Sequence, residues 1–276
     1  MIFLLYPNPT SAAAAETAGR IASRLTKAGH VCRFHPASPE GVEMMIVVGG
    51  DGTVLRAVRD YPGGLFPLWA VNAGHMGYLT DVSASDAEKA AATIPEGRFQ
   101  VERRLVLEGA LRSGDAERPF FCLNEFTVHR AACLHSVRIG LSVDDKDILH
   151  FTGDGVLVAT PTGSTAYNLS LGGPVLLPDS DELVITPICP HSAIGVPIVV
   201  RGNSRVRMTV NPFGKDRDDE GAQPCLTTDG ARAFPLQPGD TVTATAGSWT
   251  VGFVRTRDDS FYRRLRLRLM GGETAP

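Results

Sequence analysis

The 276-residue chain lacks most of the features that announce a specialised class of protein. It has no Cys-x-x-Cys pair, and its five cysteines, at positions 32, 122, 133, 189 and 225, are odd in number. That argues against a disulfide framework and a zinc knuckle, and favours reduced thiols in a cytoplasmic protein. No apolar run approaches the roughly 18 residues of a membrane span, so no membrane partner is expected. The opening Met1-Ile2-Phe3-Leu4-Leu5-Tyr6 is apolar but has no basic start and ends at Pro7, which reads as a buried strand rather than a signal peptide. Positive charge is not in excess: 27 Lys and Arg stand against 30 Asp and Glu, a net charge of −3. A chain built to grip a nucleic-acid backbone is usually basic, so no nucleic-acid partner is expected. Neither a Gly-x-Gly-x-x-Gly fingerprint nor a Walker Gly-Lys-Ser/Thr loop occurs. The seven histidines offer no metal-ligand spacing on a predicted helix, and no Ser, His and Asp set stands out for nucleophilic catalysis. Internal repeats are missing too.

Glycine and proline are plentiful, at 29 and 19 residues, which calls for many turns. The chain has two rhythms. Up to about Gly97, strands alternate with helices: Ile2 to Tyr6, helix Ser11 to Ala28 stopped by Gly29, Val31 to His35, Met44 to Val48, helix Thr53 to Arg59, Leu68 to Val71, and helix Ser85 to Thr93 with Ser85 and Glu88 as a capping box. Such alternation implies a parallel sheet with helices on its faces. Beyond Gly97 short strands follow one another: Phe99 to Leu107, Phe120 to His129, Val137 to Val143, Val156 to Ala159, Val184 to Pro187, Arg205 to Val210 and Thr241 to Ala246. These predict an antiparallel β domain to about residue 254. Lys215 to Gly221 reads as a solvated loop. The end is basic, with Arg255, Arg257, Arg263, Arg264, Arg266 and Arg268. Asp258-Asp259-Ser260 starts a predicted helix whose Phe261, Leu265 and Leu269 share a face, and the arginines read as its solvated side.

Four segments carry possible chemistry. Gly49-Gly50-Asp51-Gly52-Thr53 follows a buried strand and precedes a helix. Its glycines allow a phosphate chain to approach backbone amides, and one carboxylate stands in the turn. Asp51 as a simple helix cap is an equal alternative. Thr160 to Tyr167, followed by Ser170 and Gly172-Gly173-Pro174, crowds hydroxyls onto a strand-to-helix turn suited to a base, ribose or phosphate. Asn124-Glu125 lies inside an apolar strand, where one of the two must point inward and find a partner. Gly153-Asp154-Gly155 is another carboxylate in a glycine turn, and alone reads as a plain β-turn.

Together these segments resemble the NAD kinase family of the bacterial ATP-NAD kinase type. The Gly49 to Thr53 turn is shared with lipid kinases and, with Ser at its end, with phosphofructokinases. Asn72 to Leu79 (NAGHMGYL), Leu123-Asn124-Glu125, Gly153 to Pro174 (GDGVLVATPTGSTAYNLSLGGP) and Thr186 to Ser192 (TPICPHS) are similar to the family's further motifs, in the same order. The Gly-Thr-Gly-Asn-Asp type segment of the lipid kinases is missing. The resemblance implies an α/β amino-terminal domain over 1–97 to which 255–276 returns as a helix, and an all-β antiparallel domain over 98–254 that carries dinucleotide and oligomer surfaces. It implies transfer from ATP to the 2′-hydroxyl of the adenosine ribose of NAD, with Mg²⁺ accompanying the nucleotide.

By the same resemblance, Asp51 corresponds to a general base, and Gly49, Gly50, Gly52 and Thr53 line its site. Asn124, Glu125 and Asp154 correspond to contacts on adenosine and ribose. Thr165, Ala166, Tyr167 and Ser170 correspond to the pocket around adenine and its ribose, and His135 to a polar dinucleotide contact. A homodimer or homotetramer is implied. This chain departs from the family in having Thr152 where Arg or Lys is frequent, two residues before Asp154, and Gly195-Val196-Pro197 where an arginine often follows His191-Ser192. A lipid or sugar kinase and a non-catalytic dinucleotide sensor stand as alternatives.

Overall fold

The computed structural model describes residues 1–74, 77–131, 136–191, 195–212, 223–257 and 261–269. The chain forms two compact units, Met1–Arg104 with Thr250–Pro276, and Leu105–Trp249.

The first unit begins with strand β1 (Ile2–Pro7), helix α1 (Ala12–Lys27), strands β2 (Val31–Phe34) and β3 (Met44–Gly49), helix α2 (Asp51–Asp60), strands β4 (Leu68–Asn72) and β5 (Val82–Ser83), helix α3 (Ala87–Thr93) and the start of β6 (Gln100–Ser113). β2, β1, β3 and β4 lie side by side in parallel, and β5 joins β4 in parallel. β1 and β3 are continuous apolar runs because both faces are covered, as in parallel sheets with helices on either side. On one face Phe3, Leu5, Met44, Ile46, Val48 and Trp69 pack with Ala14, Ala18, Ile21 and Leu25 of α1 and Ala87 and Ala91 of α3. Each large side chain so buried contributes about 1.5–3 kcal/mol. The Ser11 hydroxyl caps α1 by accepting from the Ala14 amide, and Gly29 follows its end at φ 86°. The capping box expected at α3 does not form. Asp86 occupies the cap position without a side-chain cap bond, and the Ser85 hydroxyl pairs with that of Ser83 instead.

The second unit continues β6 and adds β7 (Ala116–Cys122), β8 (Glu125–His129), β9 (Val137–Val143), β10 (Lys146–Gly153), β11 (Gly155–Ala159), the short helix α4 (Tyr167–Ser170), β12 (Glu182–Ile188), β13 (Ile198–Arg201), β14 (Val206–Val210), β15 (Cys225–Thr228), β16 (Arg232–Pro235) and most of β17 (Thr241–Arg255). β6 with β7, β9 with β10 and β14, β14 with β17, β11 with β8 and β12, β12 with β13, and β15 with β8 and β16 all pair antiparallel. One sheet runs β13-β12-β11-β8-β15-β16; β10, β9, β14 and β17 lie together in another. Phe126, Val128, Val156, Val158, Leu183 and Ile185 from the first face Ile139, Leu141, Phe151, Val206, Met208 and Val242 from the second in a single core.

Two strand expectations change. Phe120 to His129 is not one strand but two, broken at Leu123-Asn124, so that β7 pairs β6 while β8 pairs β11 and β15. The strand from Thr241 runs on to Arg255, and Phe253 at its end pairs in parallel with Leu68 of β4. The last helix, α5 (Phe261–Leu269), belongs to the first unit, as the resemblance implies. Among its described side chains Arg264 is the buried one; Phe261 and Leu265 are half-buried, and the Leu269 side chain lies outside the described residues. The solvated reading of the basic end fails at two positions, because Arg255 and Arg264 are buried against Glu102.

Candidate active site

The glycine turn after β3 delivers Asp51 as the first residue of α2, with Gly50 as cap. Its carboxylate does not cap its own helix. Oδ2 accepts from the Tyr78 amide at 2.9 Å and Oδ1 from the Leu79 amide at 3.1 Å. Hydrogen bonds to a charged acceptor contribute about 1.5–3 kcal/mol each, enough to fix one rotamer. A Cβ on residue 77 would stand 2.0 Å from Asp51 Oδ1, so glycine is required there. At Gly50 and Gly52, by contrast, a Cβ would meet nothing within 4 Å, and the turn is open on that side.

The loop seating Asp51 is itself clamped. Arg255 Nη1 donates to the carbonyls of Leu79 and Thr80, at 3.1 and 3.3 Å, and its Nε meets Glu102 Oε2 at 3.0 Å. Arg104 and Arg264 also pair with Glu102. Burial pushes the Glu102 carboxyl up, but Arg104, Arg255 and Arg264 outweigh it and hold the group below its ordinary value. Trp69 Nε1, the Thr256 amide and the Thr256 hydroxyl all donate to Asp81 Oδ2.

In the second unit, β8 turns Phe126 and Val128 into the core and Glu125, Thr127 and His129 to the opposite face of its sheet. That face carries a cavity of about 460 Å³, within the range of ligand pockets, lined by Glu125, Thr127, His129, Arg130, Asp154 and Tyr167, with Ile188, Thr227 and Gly230. Arg130 grips Asp154 through two contacts, Nε to Oδ1 at 2.9 Å and Nη2 to Oδ2 at 3.0 Å. Thr127 and Thr227 meet hydroxyl to hydroxyl across the β8-β15 pairing, and Cys225 Sγ lies 3.3 Å from His129 Nε2.

The break between β7 and β8 is held by Asp229. Its carboxylate accepts from three successive amides, Leu123 at 3.0 Å, Asn124 at 2.8 Å and Glu125 at 3.3 Å. Glu125 is 8% exposed and its Oε2 has no hydrogen-bond partner among the described residues. Burial pushes its carboxyl up to about 8, the charge of Asp229 adds to the rise, and the Tyr167 amide opposes it. On the neighbouring turn, the Thr160 hydroxyl donates to the Leu123 carbonyl and the Thr160 amide to that of Asn124.

The expected residues thus fall into two groups. Gly49, Gly50, Asp51, Gly52 and Thr53 share the turn of the first unit. Glu125, Asp154 and Tyr167 line the cavity of the second. Asn124 precedes Glu125 at the break before β8, while Thr165, Ala166 and Ser170 occupy the turn leading into and through α4. The Thr165 hydroxyl is spent on the Thr162 carbonyl. His135 lies outside the described residues, as do His75, Ser192, and Lys215 to Gly221. Arg130, Thr127, His129, Thr227 and Asp229 were not anticipated. The alternation Glu125-Phe126-Thr127-Val128-His129 was the available signal for two of them, whereas Arg130 and Asp229 reach the site only through strand pairing.

Comparison with known proteins places these features. The profile of the ATP-NAD kinase N-terminal domain matches residues 27–99, and that of the ATP-NAD kinase C-terminal domain matches residues 123–256. An NAD kinase of Symbiobacterium thermophilum is 36% identical over 289 aligned positions, covering 98% of this chain and 99% of that protein. One from Teredinibacter turnerae is 34% identical, covering 85% and 78%. Among solved structures, yeast NADH kinase complexed with NADH superposes with a TM-score of 0.87 at 20% identity, over 100% of this chain and 88% of that one. An NAD kinase from Archaeoglobus fulgidus in complex with ATP gives 0.74 at 23% identity, over 98% and 97%. At these identities the two structures speak for the fold.

Proposed function

The chain belongs to the NAD kinase family, and from that premise we propose how its residues move a phosphoryl group from ATP to the 2′-hydroxyl of the adenosine ribose of NAD, giving NADP and ADP. The observation that carries the assignment is the seating of Asp51. A residue that merely capped α2 would turn its carboxylate back onto its own helix; this one is held away from it by the amides of a separate loop. A ribose hydroxyl is a weak nucleophile. Asp51 accepts its proton as the new oxygen–phosphorus bond forms and ADP departs. The open side of Gly50 and Gly52, at the amino end of a ten-residue helix, leaves backbone amides to approach the phosphates.

Asn124, Glu125, Asp154 and Tyr167 bind the adenosine half of NAD, with Thr165, Ala166 and Ser170 shaping the adenine side. The His135 contact is proposed on the resemblance alone. Mg²⁺ is expected as a companion of ATP. Among the described residues no group of three or more His, Cys, Asp or Glu side chains is placed to hold a metal ion. No protein ligand is therefore assigned to it, and no step runs through it.

The test is formation of NADP from NAD, ATP and Mg²⁺. NAD binding with no NADP formed would favour a sensor on the same scaffold. A homodimer or homotetramer is proposed because β13 ends its sheet with Val199 exposed, an edge that a second copy can cover. A fully active monomer by light scattering at micromolar concentration overturns that. A cytoplasmic location is proposed from the thiols: Cys32, Cys122, Cys189 and Cys225 are free, and no helix of the described residues is long and apolar enough to cross a membrane.

A further inference from the structure

Glu125 sits in the cavity wall with three features that no simple ribose-binding carboxylate needs. It is almost wholly buried, one of its oxygens is unpartnered among the described residues, and its backbone is held by Asp229. Asp229 spends its negative charge on three amides, which fixes it as the ionised member of the pair. Among the described residues, the other titratable or charged groups around Glu125 are Cys122, His129, Tyr167 and the Arg130–Asp154 pair. If Glu125 were ionised, the described residues of the region would carry three carboxylates against one guanidinium. A dinucleotide would then add two phosphate charges to a site already in negative excess.

We propose that Glu125 works as a neutral carboxylic acid, its buried and unpartnered Oε2 disfavouring the charged form, and that its carboxyl proton is donated to an uncharged acceptor, a ring nitrogen or a ribose oxygen, on the nucleoside half of the dinucleotide. The proposal rests on the reading of this cavity as the NAD site, and it assigns the residue a direction. A charged Glu125 accepts from ribose hydroxyls; a neutral one gives. The upward push on its carboxyl from burial and from Asp229 agrees with the neutral form at neutral pH.

The two directions predict opposite pH dependence. With the donor required, NAD affinity is full well below pH 8, is about halved at pH 8, and falls about tenfold by pH 9 for a single linked proton. Titration calorimetry of NAD into the whole enzyme, in two buffers of different ionisation enthalpy, reads this directly. Uptake approaching one proton at pH 9, and none at pH 6.5, is the expected result. Glu125→Gln, which keeps a donor but cannot ionise, removes the uptake and flattens the profile. Proton release, or affinity that rises with pH, overturns the proposal while leaving Glu125 in the site. Unchanged affinity in Glu125→Ala, checked for folding by thermal melting, overturns it in a different way, by removing Glu125 from the NAD site. If neither variant folds, proton uptake by the wild-type enzyme alone decides.

Discussion

In the parallel unit, a carboxylate is brought to backbone donors; in the antiparallel unit, a carboxyl is brought to another carboxylate. Asp51 stands at a helix start with an amide on each oxygen. Glu125 stands at a strand start, buried, with its own backbone tied to Asp229. Both follow a glycine or polar break after apolar sequence, so their local sequences look alike. What separates them is the company that the fold supplies, and that company suits one to accepting a proton and the other to keeping one. Under the proposed function, turnover belongs to the first unit and dinucleotide affinity to the second.

The largest expected effect would break this assignment if absent. Asp51→Asn places an amide NH₂ against the N–H of Tyr78 or Leu79, donor facing donor, and removes the base. Turnover should fall by roughly two to four decades, with NAD affinity within a few-fold of wild type, as read by steady-state kinetics beside NAD titration. Near wild-type turnover would leave Asp51 a structural residue. Gly77→Ala is next. Its methyl group would fall on the Asp51 carboxylate, so the base is displaced without being altered. A loss of roughly 10- to 100-fold in kcat at unchanged NAD affinity is expected, since a displacement near 1 Å has costs of that order. If affinity falls in proportion, the division of labour is wrong. The smallest effect sharpens the other side. Asn124→Ala should raise KM for NAD by roughly tenfold, the worth of one lost hydrogen bond, with kcat little changed.

The sequence was most legible where period and punctuation agree. β1, α1, β3 and β4 follow from apolar runs bounded by Ser11, Gly29 and Gly49-Gly50, and the antiparallel rhythm after Gly97 is plain. It was least legible where tertiary pairing decides. The apolar stretch from Phe120 to His129 carries no glycine or proline at Leu123-Asn124, and the break there exists because Asp229, about a hundred positions away, satisfies the amides. β13, β15 and β16 are four-residue strands, too short for alternation to declare itself. The buried arginines of the carboxyl end are likewise set by Glu102, which nothing in the local sequence connects to them. Arg130 shows the same limit within the site: Thr152, two residues before Asp154, is uncharged, and a cation nevertheless meets Asp154 from the end of a different strand.

The clamp formed by Arg255 has a consequence for how the protein is made. The carbonyls of Leu79 and Thr80 wait for a residue some 176 positions further along the chain, and Asp81 waits equally long for Thr256. Synthesis proceeds from the amino end, and the first unit's early strands and helices can assemble while translation continues. Their loop is nevertheless unfinished until Arg255 and Thr256 have emerged. A nascent or prematurely terminated chain therefore has the glycine turn and Asp51 but not the seat that aims the carboxylate. The seat of the Asp51 carboxylate is thus complete only after Leu105–Trp249 has been synthesised and Arg255 has reached the loop.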